Sequence, residues 1–318
     1  MAAARVAIVG LGAIGREVCK AVRARPSLEL TGAFDPAFVG RDAGEVAGLG
    51  PAGVTVAAIL AEALAGADVA LVLTLSGVAE MVPIVEAAAA AGVDVVSTCE
   101  DLAYADLGTP ELARQIDARA RAGGITVVGT GVNPGLVMDR LPLTLAAACV
   151  RVERVAVTRV VDAAKRRGPL RAKVGAGLTV EAFNAGVAGK QLGHRGLPES
   201  CALVGLGLGF SFDEIRSTIG PVTEARAGID AGRVAGLRQS AVGLSGGREL
   251  VRLDLEMSVA APEPHDRVVI EGDPPLDLVI RGGTHGDRAT VGTVLNAVPA
   301  ARAAAPGLAT VLDLTLRR

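Results

Sequence analysis

Residues 5–18 read RVAIVGLGAIGREV, an apolar run that reaches three glycines, Gly10, Gly12 and Gly15, where a helix is predicted to begin. Gly10-Leu11-Gly12-Ala13-Ile14-Gly15 fits G-x-G-x-x-G, with a strand before it and a helix after it, as the pattern requires. The first glycine permits a tight turn, the second lets a pyrophosphate approach the backbone, and the third lets helix and strand pack closely. The free amides of this turn, with Ala13 and Ile14 in it, then face phosphate oxygens at the helix N-terminus. Asp35 closes the next strand twenty residues after Gly15, where an acid accepts from the adenosine ribose hydroxyls. A cluster of packing glycines and a turn aspartate in Asp35-Pro36 would account for the same residues without a ligand, but it accounts for less of the context. The expected ligand is a dinucleotide. Asp35 repels a 2′-phosphate and favours NAD, whereas Arg41 can neutralise one and admits NADP; Arg41 also reads as a solvated loop charge.

Outward from this turn, the first 130 residues alternate short apolar runs with helical stretches. Strands are predicted at 5–9, 28–34, 68–74, 93–97 and 125–129, and helices at 13–24, 56–65, 77–91 and 109–122. Buried strands flanked by helices imply a doubly wound parallel sheet of the Rossmann type. After Asp139 the pattern changes. β-Branched alternation at 151–162, 216–226, 233–244, 250–260 and 266–271 predicts a second α+β domain on a mainly antiparallel sheet. Residues 176–193 interrupt it as a helix, with Thr179 as N-cap and Glu181 in the first turn. The apolar tail 287–304, helix-like despite Pro299, needs a surface and is placed against the first domain. The fold class is therefore α/β, with a Rossmann domain at 1–138, an α+β substrate and dimerisation domain at 139–285, and a returning helix at 286–318. The second sheet lacks helices enough to cover both faces, so a homodimer is expected.

Half the residues are hydrophobic, yet no apolar run reaches the roughly 18 residues of a membrane span. The N-terminus enters a strand directly, without a signal core. The net charge is −2, and no basic stripe is interleaved with aromatics, which argues against nucleic acid. Cys19, Cys99, Cys149 and Cys201 are widely spaced without a C-x-x-C pair, so neither a disulfide framework nor a metal site is supported. Reduced thiols in a cytoplasmic protein are the expectation.

Other strand ends open onto the same crevice. Thr74 ends one. Another reads Ser97-Thr98-Cys99-Glu100-Asp101, and a third Gly129-Thr130-Gly131-Val132-Asn133-Pro134-Gly135. Thr74, Cys99 and Asn133 are candidates for cofactor contacts. A carboxylate at a central strand end is a candidate acid/base; Glu100 is preferred, since Asp101 can cap the segment starting near Thr109. Asn133 orients the nicotinamide carboxamide or the substrate, or is simply the turn asparagine of Asn-Pro-Gly.

Together, GLGAIG, STCEDLAY, GTGVNPGLVMDRLP, RAKVGAGLTVEAF, GHRGLPES, GGTHGDRATVGTVLNAVP and PGLATVLDL resemble the 2,4-diaminopentanoate dehydrogenase family. That family is related to dihydrodipicolinate reductases and includes the native amine dehydrogenases, and the resemblance runs over nearly the whole chain. It implies an enzyme that interconverts an amine with a carbonyl plus ammonia, using a nicotinamide cofactor. It also implies that Glu100 handles the amine, that the second-domain sheet forms a homodimer, and that the active site lies in the cleft between domains. Dihydrodipicolinate reductase itself matches less well. Its His-His-rich motif and its lysine before Asp-Ala-Pro-Ser-Gly-Thr are absent, and DAAKRRGPL at 162–170 is no substitute.

The chemistry agrees with this resemblance. Reductive amination needs ammonia to attack a carbonyl, water to leave as an iminium forms, and hydride delivery. A carboxylate can move each proton and offset the iminium charge. Leu136, Met138 and Leu141 are expected at the pocket mouth, where family members often carry aromatics; an aliphatic wall suits a ketone, aldehyde or alkylamine. His194 either reaches the cleft or stays on a surface loop. His265 is expected in a solvated hairpin turn, and His285 either orients the returning helix or touches cofactor. Three scattered histidines make no metal site. Lys165, Arg166, Arg167, Arg171 and Lys173 form a basic loop that either binds an anion or is solvated. The rivals are a dihydrodipicolinate-reductase-like or homoserine-dehydrogenase-like oxidoreductase, and a non-catalytic dinucleotide-binding protein.

Overall fold

The computed structural model describes residues 2–74, 76–165 and 173–315. The chain divides into two compact units, Met1–Leu136 with His285–Arg318, and Val137–Thr284. The strands are β1 (Ala4–Val9), β2 (Leu28–Phe34), β3 (Val56–Ala57), β4 (Val69–Val72), β5 (Asp94–Ser97), β6 (Thr126–Gly129), β7 (Arg151–Asp162), β8 (Glu214–Val222), β9 (Gly236–Ser245), β10 (Arg248–Ser258), β11 (His265–Asp273), β12 (Leu276–Arg281) and β13 (Gly307–Ala309). The described helices are α1 (Ala13–Arg23), α2 (Ala43–Val46), α3 (Leu60–Leu64), α4 (Val78–Ala91), α5 (Pro110–Gly123), α6 (Arg140–Ala146), α7 (Val180–Ala188), α8 (Leu197–Leu208) and α9 (Gly286–Ala301).

In the first unit the described strands form one sheet in the order β13-β6-β5-β4-β1-β2-β3, with every pairing parallel. All four residues of β4 and of β6 are buried, as expected of central strands covered on both faces. Helix α1 buries Gly15, Val18, Cys19 and Val22, the spacing of a single helical stripe. Lys20 and Arg23 in its last turn complement the negative end of the helix dipole. Helix α9 continues through Pro299 and buries Val294, Leu295 and Val298 in the cluster that holds Val6, Ile8, Leu71 and Val96. The tail therefore packs on the first unit, as its apolar character demands. Beyond it β13 joins the edge of β6, where Asp117 accepts the Leu308 N–H at 2.9 Å and Thr126 donates its hydroxyl to Ala305 C=O at 3.2 Å.

The helix expected at 56–65 is a strand and then a short helix. Val56 and Ala57 pair with Ala33 and Phe34, so sheet pairing takes the start of the segment and only Leu60–Leu64 is helical. The loop before β3 is organised by Asp42. Its Oδ1 accepts the N–H groups of Gly44, Glu45 and Ala52, and its Oδ2 that of Gly53, at 2.8–3.1 Å.

In the second unit the described strands run in the order β12-β11-β7-β10-β9-β8. Only β7 and β10 pair in parallel; the other pairings are antiparallel. Thr179 caps α7 by accepting the Ala182 N–H, with Glu181 in the first turn; the helix ends at Ala188, short of the expected 193. Arg159 and Asp266, opposite each other on β7 and β11, form an ion pair at 3.0 Å with side chains only 3% and 1% exposed. Both also hold Thr284. Asp266 accepts its N–H at 2.6 Å, and Arg159 donates to its carbonyl at 2.9 Å. Of the basic loop, Arg166, Arg167 and Arg171 lie outside the described residues.

Backbone amides led by that of Ala52 hold the Asp42 carboxyl below the usual carboxylate range. The Arg5 and Arg121 guanidiniums do the same for Asp68 and Asp117. Groups lowered in the folded state add stability above the unfolded value of about 4 and lose it as pH falls through the folded values. Urea unfolding should therefore show a flat plateau near neutrality and a steep loss at acid pH. Asp42→Ala should cost about 1–2 kcal/mol at neutral pH and shrink the acid loss; acid curves parallel to the parent would remove Asp42 from this account.

Candidate active site

The carboxyl ends of the central strands in the first unit lie side by side. Leu73 N–H donates to Val9 C=O at 2.8 Å, Thr98 N–H to Val72 C=O at 3.0 Å, and Thr130 N–H to Ser97 C=O at 2.8 Å. The strand order β2, β1, β4, β5, β6 thus sets out Asp35, the glycine turn, Thr74, Cys99 with Glu100, and the loop of Asn133 in one row.

The three glycines of the turn have three different reasons. Gly10 has φ +97°, and a Cβ there would lie 2.8 Å from Thr74 Cγ2. A Cβ on Gly15 would lie 1.9 Å from the Gly10 carbonyl oxygen, so α1 packs directly on the turn. A Cβ on Gly12 would meet nothing within 4 Å. Packing accounts for Gly10 and Gly15, and open space is left over Gly12. The amides of Ala13 and Ile14 in the first turn of α1 have no acceptor within the helix. Open space beside orphan amides fits a pyrophosphate.

Asp35 is half-buried and both its oxygens are engaged: Oδ2 accepts Leu11 N–H at 2.7 Å and Oδ1 accepts Ala37 N–H at 2.9 Å. The carboxylate keeps lone pairs for a ribose hydroxyl while it fixes the turn. Arg41 and Arg16 stand over the Phe38 ring, 5.6 and 5.2 Å from its centroid, and Arg16 Nε donates to Leu11 C=O at 3.0 Å. Arg16 is a residue that sequence reasoning missed. Its place in the first turn of α1, directly after Gly15, was the available signal.

Glu100 is half-buried; its carbonyl accepts the Ala103 N–H at 3.2 Å, and its carboxylate makes no hydrogen bond or ion pair with any described residue. Asp101 opens a 3-10 turn, Asp101–Tyr104, and its N–H donates to Ser76 C=O; Thr109 stands at the N-cap of α5. Cys99 is 1% exposed, and burial pushes its thiol up to about 12. It stays a neutral thiol beside the carboxylate. Asn133 is 7% exposed and its bond to Pro134 is cis. Its loop folds on itself: Gly135 has φ +127°, and a Cβ there would lie 2.3 Å from Gly131 N. Thr290 of α9 approaches the same loop, its Oγ1 4.0 Å from where a Gly131 Cβ would stand. Nothing in the local sequence of Thr290 announces that approach, because α9 returns from far along the chain.

Leu136 is half-buried at the end of the first unit's opening segment. Met138, Leu141 and His194 belong to the second unit. Met138 does not stand at a pocket mouth; it is fully enclosed, among the largest such side chains, and acts in packing. Leu141 is half-buried on α6. His194 is half-buried on a loop whose main chain is clamped by Gln239. His285 caps α9, its Nδ1 accepting Arg288 N–H at 3.4 Å. His265 opens β11 rather than occupying a turn, with Nδ1 2.7 Å from Glu263 O. Lys173 is exposed. Among the described residues no three His, Cys, Asp or Glu side chains are grouped to hold a metal ion.

A strand, glycine turn and helix with an acid closing the second strand, joined to a second unit built on a mixed sheet, define a dinucleotide-dependent dehydrogenase. A family model described as the 2,4-diaminopentanoate dehydrogenase C-terminal domain matches residues 136–318, and one described as dihydrodipicolinate reductase, N-terminus, matches 4–102. The chain belongs to the 2,4-diaminopentanoate dehydrogenase family. The 2,4-diaminopentanoate dehydrogenase of Acetoanaerobium sticklandii is 31% identical over 245 residues, 71% of this chain and 67% of that one. An amine dehydrogenase of Streptomyces virginiae is 27% identical over 343 positions, 97% of this chain and 95% of that one. The solved amine dehydrogenase from Mycobacterium smegmatis shares the fold, with a TM-score of 0.86 at 24% identity over 99% of this chain and 97% of that one.

Gly12→Val should leave thermal unfolding near that of the parent and abolish NADH binding, followed by fluorescence titration. Gly15→Ala should instead destabilise the protein by about 3 kcal/mol or more, since backbone must move to admit the methyl. Retained NADH affinity in Gly12→Val would take the pyrophosphate away from this turn.

Proposed function

We propose that this protein is an NAD(P)-dependent amine dehydrogenase that interconverts a small primary amine or amino acid with the matching ketone or aldehyde plus ammonia. The observation that carries this reading is the Glu100 carboxylate, half-buried and without a partner among the described residues, at a strand end of a 2,4-diaminopentanoate dehydrogenase family member. The dinucleotide, when bound, supplies or takes up the reducing equivalent. In the direction of amine formation Glu100 takes a proton from ammonium, so that the nitrogen can attack the carbonyl. It then protonates the carbinolamine oxygen as water leaves and stands as counter-charge to the iminium. A carboxylate locked into an ion pair would be poorly placed for all three tasks. Asn133 orients the carboxamide or the substrate, Thr74 and Cys99 line the cofactor path, and Leu136, Leu141 and His194 serve the substrate.

The cofactor reading is NAD, with NADP admitted. Asp35 repels a 2′-phosphate, but two backbone amides draw on its charge, and Arg16 and Arg41 flank Phe38 nearby. We place the protein in the cytoplasm, a reading its four unpaired cysteines accord with.

A homodimer through the second sheet is part of the same proposal. One face is buried through Val155, Val157, Leu253, Leu255, Val268 and Ile270. The opposite face carries ion-paired Arg154, Arg252 and Arg267, with Val279 46% exposed. Such a face suits a second copy with a polar rim. Light scattering should give about twice the 31.9 kDa chain mass; a monomer at micromolar concentration would defeat this part.

The decisive assay is ammonia-dependent oxidation of NADH and NADPH over a panel of ketones and aldehydes. Glu100→Gln should keep NADH affinity while turnover falls by about 10²-fold or more. Asp101→Asn should stay within a few-fold. The reverse pattern would move the role to Asp101, and two unaffected variants would end the amine chemistry.

A further inference from the structure

The turn that carries Glu100 is held by groups that do not bond its carboxylate. At the end of β5 stands Ser97, fully buried. Its hydroxyl donates to the Val72 carbonyl at 3.2 Å and accepts the Cys99 N–H at 3.0 Å, with the Met81 sulphur 3.5 Å away. The Thr98 N–H reaches the same Val72 carbonyl, so β4 fixes the chain where it leaves the sheet. Past Glu100, the Asp101 N–H donates to the Ser76 carbonyl at 3.2 Å, and the Glu100 carbonyl accepts the Ala103 N–H at 3.2 Å. The Asp101–Tyr104 turn then rests on the end of β6, where a Cβ on Gly129 would lie 2.6 Å from Ala103 N and 2.7 Å from Leu102 C. Main chain is thus fixed before, at and after Glu100. Every group in this arrangement belongs to the first unit.

The other buried positions of β5 include Val95 and Val96, as a strand covered on both faces requires. A hydroxyl at the next position is costly unless bonded, and Ser97 uses both its proton and a lone pair on main chain. We propose that Ser97 is a positioning residue for Glu100: its hydroxyl, fixed on Val72, sets the direction in which the chain leaves β5, and so where the Glu100 carboxylate stands. Gly129 is the second part of the device, since a side chain there pushes the turn off β6. The proposal rests on the catalytic assignment of Glu100 made above. A half-buried carboxylate that bonds no described residue takes its direction from its main chain. A displacement of about 1 Å can cost on the order of 10²-fold in rate.

Ser97→Ala removes the acceptor of the Cys99 N–H and adds no volume. In the whole protein, hydrogen–deuterium exchange over 98–104 should quicken about tenfold, the effect of leaving one buried amide without its partner, with β1 and β2 unchanged. In ammonia-dependent NADH oxidation kcat should fall about tenfold or more, while NADH affinity stays within about threefold because the glycine turn and Asp35 are untouched. Added to Glu100→Gln, the same substitution should lower turnover no further, whereas a general loss of packing lowers it in both backgrounds. Gly129→Ala, which presses on the turn from the side of β6, should give the same split of kcat from NADH affinity. Parent-like exchange over 98–104 or parent-like kcat in Ser97→Ala overturns the proposal, as does an equal fall of turnover in the Glu100→Gln background. Unchanged turnover in Glu100→Gln alone ends the catalytic assignment of Glu100 instead, and the exchange data then decide whether Ser97 holds the turn.

Discussion

The site-bearing row of the first unit depends on how the backbone of residues 10–15 is held. Asp35 takes the Leu11 N–H from one side, and α1 presses Gly15 against the Gly10 carbonyl from the other. With the turn pinned at both places, the amides at the start of α1 point one way, and the space over Gly12 stays open. Each neighbouring strand then adds its carboxyl end to the same row through one main-chain hydrogen bond. The position of Glu100 follows from that ladder more than from any contact of its own, and its side chain is left unclaimed.

In the second unit polar groups are buried where the chain needs to be held. Arg159 and Asp266 grip both the amide and the carbonyl of Thr284, the last residue before the chain returns to the first unit. Asp139 stands just after the chain has entered the second unit. Buried ion pairs add little net stability compared with apolar packing. Their directionality fixes backbone position, which apolar contacts do less well.

Most of the first unit was legible because its strands are buried apolar runs, and because three glycines spaced between a strand and a helix suit few local structures besides a phosphate-binding turn. The third helix was misread because β3 is two residues long and depends on pairing with β2, which no local period reveals. Helix α8 left no trace in the sequence for a related reason. Its buried residues run without a break from Ser200 to Gly205, so they form no single amphipathic stripe, and its Gly205 and Gly207 leave room for Phe212 and Leu143. The site was partly legible. Glu100 and Asn133 stand in short motifs at strand ends, whereas Thr290 and Gln239 meet partners distant in sequence. Met138 was misplaced because an aliphatic residue near a site looks the same in sequence whether it lines a pocket or packs a core.

The return of α9 and β13 has a consequence for synthesis. The second unit is one uninterrupted stretch, whereas the sheet of the first lacks an edge strand and a covering helix until the segment beyond residue 284 has left the ribosome. Domains fold as units while chains emerge, so the inserted unit can close while its host is still unfinished. The dinucleotide-binding half, begun first, is completed last, and until then its exposed β6 edge is the part of the nascent chain most in need of protection.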